Sequence, residues 1–323
     1  MEHLDPHAKP PDAFKELYRR YVKLPAEDLE RDELVVDPRG EAHGMRCVGT
    51  VEGSRLREVF GAFDEDWTGE TDDAPVWEHP SVPGLYITPS LLPPAIQTTL
   101  LTRLLHRDLS NPVHRTNTHL HYTLPSSGTS FFALPRSAPP LPPLDASLHK
   151  PLQYGTFLRK KLRWVTLGGQ YDWTAKRYPS TPPPPFPPDI AALLTGLYPA
   201  LRPEAAIVNF YSPGDTLSLH RDVSEECGAG LVSVSVGCEG VFVVGVEEGD
   251  EGNKAIAVRL RSGDAVYMTG AARFAWHGVP LVVPGTCPRE LGEWPAGREA
   301  EYEAWRGWMG GKRVNLNVRQ MWE

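Results

Sequence analysis

The chain has only four cysteines in 323 residues. Cys47, Cys227, Cys238 and Cys287 form no CxxC pair, which excludes a zinc knuckle and a dithiol redox site; they read as reduced thiols of an intracellular protein. There is no run of about 18 apolar residues, so no segment is expected to span a membrane. The first residues, MEHLDPHAKPPDAF, contain no apolar h-region, so secretion is not expected. Their mixed charge also argues against an Arg-rich transit peptide, and a nuclear or cytoplasmic location is expected ahead of a mitochondrial one. Nor is there an excess of basic residues. Lys and Arg number 33 against 41 Asp and Glu, a net charge of −8, which argues against a non-specific nucleic-acid coat. No internal repeat is present.

Proline is abundant. Its 33 residues are roughly twice average usage and favour irregular connections over long helices. A hydrophobic content of 41% is enough for a core. Residues 12–23 place Phe14, Leu17, Tyr18 and Tyr21 at helical spacing, predicting an amphipathic helix that starts near Asp12. Residues 24–75 are acidic and weakly periodic; they read as an extension wrapped on the domain, with a short helix near 54–60. A strand is predicted at 84–88 and helices at 94–107 and 189–198. The proline-rich stretches 134–144 and 182–188 fit stiff connections or ligands for a proline-binding module. Between them, 159–177 carries Arg159, Lys160, Lys161, Arg163, Lys176 and Arg177 against one acid, Asp172, with Trp164, Tyr171 and Trp173 interspersed. Such a segment is either a solvated basic face or a surface that neutralises phosphates and stacks bases.

From residue 205 the texture changes. AAIVNFY, TLSLH, LVSVSVG, GVFVVGV, AIAVRL, DAVYM and RVNLNVRQ are short apolar runs separated by Gly-rich turns. They predict a β-sandwich or jelly roll. Arg261-Ser262-Gly263-Asp264 reads as the tight turn of a hairpin. Residues 284–312 read as a surface insertion before the last strand, with a helix at 298–309.

Chemistry enters at Leu219-His220-Arg221-Asp222. Side chains two apart in a strand share a face, so His220 and Asp222 project together. His277 lies 57 residues on, in Trp276-His277-Gly278. His-x-Asp with a distant His is the facial triad of non-haem Fe(II) oxygenases, which leaves three coordination positions open. Alone, the tripeptide is a weak signal. The last strand strengthens it. Arg313, Asn315, Asn317 and Arg319 alternate with Val314, Leu316 and Val318. In an ordinary half-exposed strand the polar set faces water. If it faces the inside of a jelly roll, two arginines need anionic partners there, and a dicarboxylate matches their planar forks. Asn209 and Tyr211 repeat the two-residue spacing and could donate to the same carboxylates.

Together, NFY, LSLHRD, SGDAVYMTGAAR, WHG and RVNLNVRQM resemble the AlkB family of nucleic-acid dioxygenases in order and spacing. LRKKLRWVTLGGQYDW and FKELYRRY look most like its homologue 1 branch. The resemblance covers the C-terminal two-thirds well and the first 80 residues loosely. It implies an α+β fold with a double-stranded β-helix (jelly roll) catalytic core, an N-terminal helical extension and flanking helices. The expected division is an extension at 1–80, helices and a nucleotide-recognition lid at 81–204, and the core at 205–323, with 81–323 as one catalytic domain.

The resemblance also implies roles. His220, Asp222 and His277 match the iron ligands. Asn209, Tyr211, Arg313, Asn315 and Arg319 match contacts to 2-oxoglutarate, Arg313 with the distal carboxylate and Arg319 near the chelating one. Six strand residues span roughly 20 Å, too far for both arginines to grip one carboxylate. Arg273 matches a residue bordering the nucleobase pocket. Two positions depart from the family. Gly169 stands where an aromatic usually stacks on the flipped base, with Tyr171 or Trp173 as the available substitutes. Ser224 stands where the DNA-repair members carry an acid. The implied activity is oxidative removal of a methyl group from a base nitrogen of N-methyladenine in tRNA or DNA, with Fe(II), 2-oxoglutarate and O2, releasing formaldehyde. The base must be single-stranded or flipped, and Lys160, Lys161 and Arg163 are expected on the nucleic-acid surface of a monomer. The competing readings are an Fe(II)/2-oxoglutarate hydroxylase of a protein or small molecule, and a non-catalytic jelly roll that binds nucleic acid or a partner.

Overall fold

The computed structural model describes residues 4–40, 44–125, 128–173, 177–247, 253–296 and 300–322; Lys176 lies outside them. The alternating segments pair into two sheets. Numbered along the chain, the smaller runs β1 (Val35–Val36), β10 (Asn253–Leu260), β9 (Gly240–Glu247), β12 (Trp276–Val282), β7 (Leu217–His220). The larger runs β2 (Arg46–Val51), β3 (Ala74–Glu78), β4 (Leu85–Thr88), β11 (Ala265–Met268), β8 (Leu231–Gly237), β13 (Arg313–Arg319), β6 (Ala205–Tyr211), β5 (Trp164–Gly168). All pairings are antiparallel except β1 with β10. This is the expected jelly roll.

The period-2 pattern assigns each face. On the larger sheet Val208, Phe210, Val232, Val234, Val314, Leu316 and Val318 turn outward and are buried beneath helices. Those helices include α3 (Pro94–Thr102) and α5 (Pro188–Leu197), whose Leu100, Leu193 and Leu194 join the same cluster. The opposite face looks at the smaller sheet, where Ile87, Leu231 and Met268 meet Phe242, Val244 and Val279. The amphipathic helix forms as α1 (Asp12–Lys23) and covers the outer face of the smaller sheet, Tyr21 packing with Val241 and Val243. Among the described residues no helix is long and apolar enough to cross a membrane.

Several expectations change. Residues 24–40 and 44–78 are woven into both sheets, β1 extending the smaller and β2–β3 the larger, with α2 (Gly53–Phe63) between β2 and β3. An edge strand pairs through its backbone, so weak side-chain periodicity hides it. Residues 261–264 form a turn, with Gly263 at φ 84, but not a hairpin: β10 belongs to the smaller sheet and β11 to the larger. The buried Asp264 carboxylate fixes this crossing by accepting from Arg39 Nε at 3.0 Å, Ser90 N at 2.8 Å and Arg261 N at 2.6 Å. The helix beginning at residue 94 passes into a π-helical turn at Arg103–Asp108. Residues 284–312 are not a surface insertion. Trp305 is fully buried, and Phe132 meets Trp294, Trp305 and Trp308 edge-on at 5.1 to 5.8 Å. Three indoles carry too much apolar surface to leave in water. Their helical turns are the 3-10 segments Ala300–Trp305 and Met309–Gly311 rather than one helix over 298–309; residues 297–299 lie outside the described set. The 134–144 stretch is anchored by bridges of Leu141 with Leu152 and of Pro143 with Tyr122, while Pro139, Pro140, Pro142 and Leu144 are exposed.

Candidate active site

His220 ends β7, and β7 is fixed by α1 on one side and β12 on the other. Tyr18 of α1 lies beside Thr216 and Ser218, and the register sets His220 directly opposite His277. Asp222 begins the loop that follows. The ligand atoms of His220, Asp222 and His277 lie within 4.8 Å of one another, and among the described residues no other group of three His, Cys, Asp or Glu converges this way. His220 Nε2 is 3.7 Å from Asp222 Oδ1, and His277 Nε2 is 3.8 Å from Oδ2. Both rings are oriented from behind. His220 Nδ1 donates to the Ser218 carbonyl at 2.9 Å and His277 Nδ1 to that of Ala275 at 3.0 Å. That leaves each Nε2 lone pair facing the centre, as metal-binding imidazoles require. Burial, reinforced by His220, pulls His277 down to about 4, so this ring is neutral near pH 7. Burial alone would push the Asp222 carboxyl up, but Arg319, His277, His220 and Arg273, with Arg319 foremost, together outweigh it and hold the group well below the usual carboxylate range.

The polar face of β13 points between the sheets. Arg313, Asn315, Asn317 and Arg319 line a cavity of about 400 Å³, together with Asn209 and the triad. The far end is unsatisfied. Arg313 is 2% exposed. Its Nη2 donates to Ser235 Oγ at 2.9 Å, while Nε and Nη1 have no hydrogen-bond partner among the described residues. Its guanidinium lies 5.5 Å from the centre of the Tyr211 ring. The Tyr211 hydroxyl is also buried and without a partner; burial pushes it up to about 12, so it stays a donor. Buried donors left unpaired beside a fixed positive charge are costly unless an anion completes them. The near end is better paired: both terminal nitrogens of Arg319 find carboxylates, and its Nε has no hydrogen-bond partner among the described residues. Arg319 reaches Asp222 Oδ2 at 3.2 Å and Glu225 Oε1 at 3.0 Å.

The mouth is aromatic. Tyr171, Trp173 and Ser224 line the cavity, and Tyr171 Oη is 3.4 Å from Ser224 Oγ. Trp173 lies 5.2 Å from Trp164 and 5.0 Å from Tyr171, ring to ring. Pro6 of the N-terminal segment also lines the cavity. Gly169 faces elsewhere: a Cβ there would sit 2.3 Å from Met321 Sδ and 2.8 Å from Ala205 Cβ. An aromatic at 169 is therefore excluded by packing. Gly169→Phe is expected to lower stability by about 1–3 kcal/mol, read from its denaturant midpoint; an unchanged midpoint would show that this packing is loose.

Arg273 does not line the cavity. It lies behind the wall, 1% exposed, donating to the backbone oxygens of Ala229 and Asp222 and to Glu225. Lys160 and Lys161 are exposed on a π-helical turn, Phe157–Lys161, outside the cavity; Arg163 is paired with Asp215. Sequence reasoning passed over Ser233, Ser235 and Glu225. The serines had a signal: two hydroxyls two apart in the apolar strand LVSVSVG mark its polar face. They support Asn315 and Arg313, Ser233 Oγ accepting from Asn315 Nδ2 at 2.7 Å. Glu225, one of two adjacent acids in a loop, had none.

A jelly roll that converges two imidazoles and a carboxylate, with an arginine-lined cavity beside them, defines the class of non-haem iron oxygenases that use an oxo-acid. Residues 84–319 match the 2OG-Fe(II) oxygenase superfamily. A relative in Pyricularia oryzae, named N6-methyladenosine RNA demethylase ALKB1, is 44% identical over 350 residues, covering 100% of this chain and 99% of its own. One in Cryphonectria parasitica, N6-methyladenosine RNA demethylase ALKBH, is 49% identical over 221 residues, 63% of this chain and 98% of its own. The tRNA demethylase abh1 of Schizosaccharomyces pombe is 38% identical over 255 residues, 76% and 82%. The chain belongs to the 2OG-Fe(II) oxygenase superfamily and, within it, to the homologue 1 branch of the AlkB family. Membership implies Fe(II) as its metal and 2-oxoglutarate and O2 as cosubstrates.

Proposed function

We propose that this chain removes the methyl group from N-methyladenine in RNA, using Fe(II) and 2-oxoglutarate. The observation that carries the reading is one cavity holding three convergent metal-ligand atoms, an incompletely paired arginine and two mouth aromatics. The residues fit the groups. His220, Asp222 and His277 would hold the ion, and Arg313 with Tyr211 would take the distal carboxylate that their free donors lack. Bound there, iron and 2-oxoglutarate supply the oxidation of an N-methyl group by O2, with succinate, CO2 and formaldehyde as the end products.

The chain's own residues do the rest. Asn209 donates along the cosubstrate, Asn315 lines its cavity while its amide nitrogen is held by Ser233 Oγ and the Val234 carbonyl, and Arg319 steadies Asp222. Leu231, Phe242, Met268 and Val279 form an apolar wall that excludes water. Tyr171 and Trp173 offer rings against which an unstacked adenine lies, with the Ser224 hydroxyl beside them. Lys160 and Lys161 track the phosphates outside. RNA is preferred over DNA because the relatives aligned over the largest shares of both chains carry RNA or tRNA demethylase names.

The test measures formaldehyde and succinate from purified protein given Fe(II), 2-oxoglutarate and oligonucleotides bearing N6-methyladenine or 1-methyladenine. Matched release on methylated RNA is expected. Succinate formed with peptides but with no nucleic acid would sink the reading. Changing both Lys160 and Lys161 to Ala should weaken RNA binding and flatten its log–log salt dependence by roughly 1.4, two single-strand phosphate contacts. Turnover at saturating RNA should hold. An unchanged salt slope would place the RNA elsewhere.

A further inference from the structure

Glu225 sits three residues beyond Asp222, in the loop between β7 and β8. Its side chain is 1% exposed, and each oxygen takes a different guanidinium. Oε1 accepts from Arg319 Nη1 and Oε2 from Arg273 Nη2, both at 3.0 Å. Arg319 continues to Asp222 Oδ2 at 3.2 Å. Arg273 ties down the loop that carries both acids, donating from Nη1 to the Asp222 carbonyl at 2.8 Å and from Nε to that of Ala229 at 2.7 Å. Arg273 and Arg319 are themselves 1% and 3% exposed. Two carboxylates and two guanidiniums thus form a closed, electrically neutral group beside the triad.

A buried guanidinium must keep an anionic partner. Arg319 has two, and they pull on different nitrogens. Without the Glu225 charge, Asp222 is the one carboxylate left within its reach, and the arginine competes for the oxygen that a divalent cation needs. The whole group then also carries an extra positive charge in a low-dielectric pocket, which repels a cation. We infer that Glu225 is a positioning residue: by dividing Arg319 and Arg273 between its two oxygens, it sets the charge of the pocket and keeps the Asp222 carboxylate available to the metal. The inference rests on the reading of His220, Asp222 and His277 as the ion site.

The test is Mn(II) binding to the full chain, without turnover, beside a melting curve for each variant. Glu225→Gln keeps the shape and removes the charge. Its Mn(II) dissociation constant is expected to rise at least about tenfold. A loosened loop could do the same, so the deciding variant is the double change Glu225→Gln with Arg273→Gln. It restores neutrality while breaking more hydrogen bonds. Mn(II) affinity is expected to return to within about threefold of native although the melting temperature falls further. A double variant that binds no better than Glu225→Gln overturns the charge role, and native-like affinity in Glu225→Gln overturns the positioning role. Should Glu225→Gln not fold, Arg273→Gln alone decides: it should bind Mn(II) at least as tightly as native, and weaker binding counts against the inference. His220→Ala is the control for the site. A native chain that binds no Mn(II) overturns the ion site, and this inference with it.

Discussion

Arg313→Met should raise the melting temperature of the cosubstrate-free protein and, in the same variant, weaken 2-oxoglutarate binding by about a hundredfold or more. The two effects share one cause. Arg313 is almost fully buried and makes a single side-chain hydrogen bond, to Ser235, while Nε and Nη1 have no partner. Burial pulls its guanidinium below the ordinary arginine range, the direction expected of a charge held where no anion compensates it. Methionine fills similar space without a charge, so the free protein gains what the arginine costs, on the order of 1–3 kcal/mol. Binding a dicarboxylate reverses the balance. Arg313 then completes two charge-assisted hydrogen bonds that methionine cannot make. Isothermal titration of 2-oxoglutarate in the presence of Mn(II), beside melting curves with and without it, measures both halves. A variant less stable than native when free, yet binding normally, would show that Arg313 has another partner.

His220→Ala and Asp222→Ala should each abolish metal binding and reduce formaldehyde release at least about a thousandfold. Their stabilities should part. The His220 side chain is 36% exposed and is held by one carbonyl, so its loss leaves the fold nearly unchanged. Asp222 is 10% exposed and is one of only two carboxylates on Arg319. Its removal leaves Arg319 on Glu225 alone and frees Asn317, which now reaches Asp222 at 3.4 Å. A loss of about 3 kcal/mol is expected. Urea denaturation with metal analysis of each variant separates the cases. Equal stability in the two would mean that Arg319 does not depend on Asp222.

Local pattern carried much of this protein. Helix α1 was legible because four aromatic and aliphatic side chains recur at 3.6-residue spacing. The jelly-roll strands were legible because their apolar runs are short, evenly spaced and bounded by glycine. The polar frame misled at 284–312, since Trp294, Trp305 and Trp308 within it look like surface until Phe132 is brought against them. The hairpin at 261–264 misled for a related reason: its turn chemistry is right, but a turn does not record which sheet its strands join.

The sequence by itself determined that His220 and Asp222 project together and that Arg313, Asn315, Asn317 and Arg319 share a face. Both follow from the alternation of side chains along an extended chain, which needs no tertiary contact. Which side that face takes was decided only by the tertiary structure. The helices cover Val314, Leu316 and Val318, and so the arginines turn inward. Once inside, their fates diverge for reasons distant in sequence. Arg319 meets acids 94 and 97 residues away, whereas Arg313 meets a serine and leaves two donors open. The same long-range packing closes position 169 against Met321 and Ala205, leaving Tyr171 and Trp173 at the mouth. A charge or a glycine is written in the sequence, but its electrostatic and steric surroundings exist only once the chain has brought its partners together.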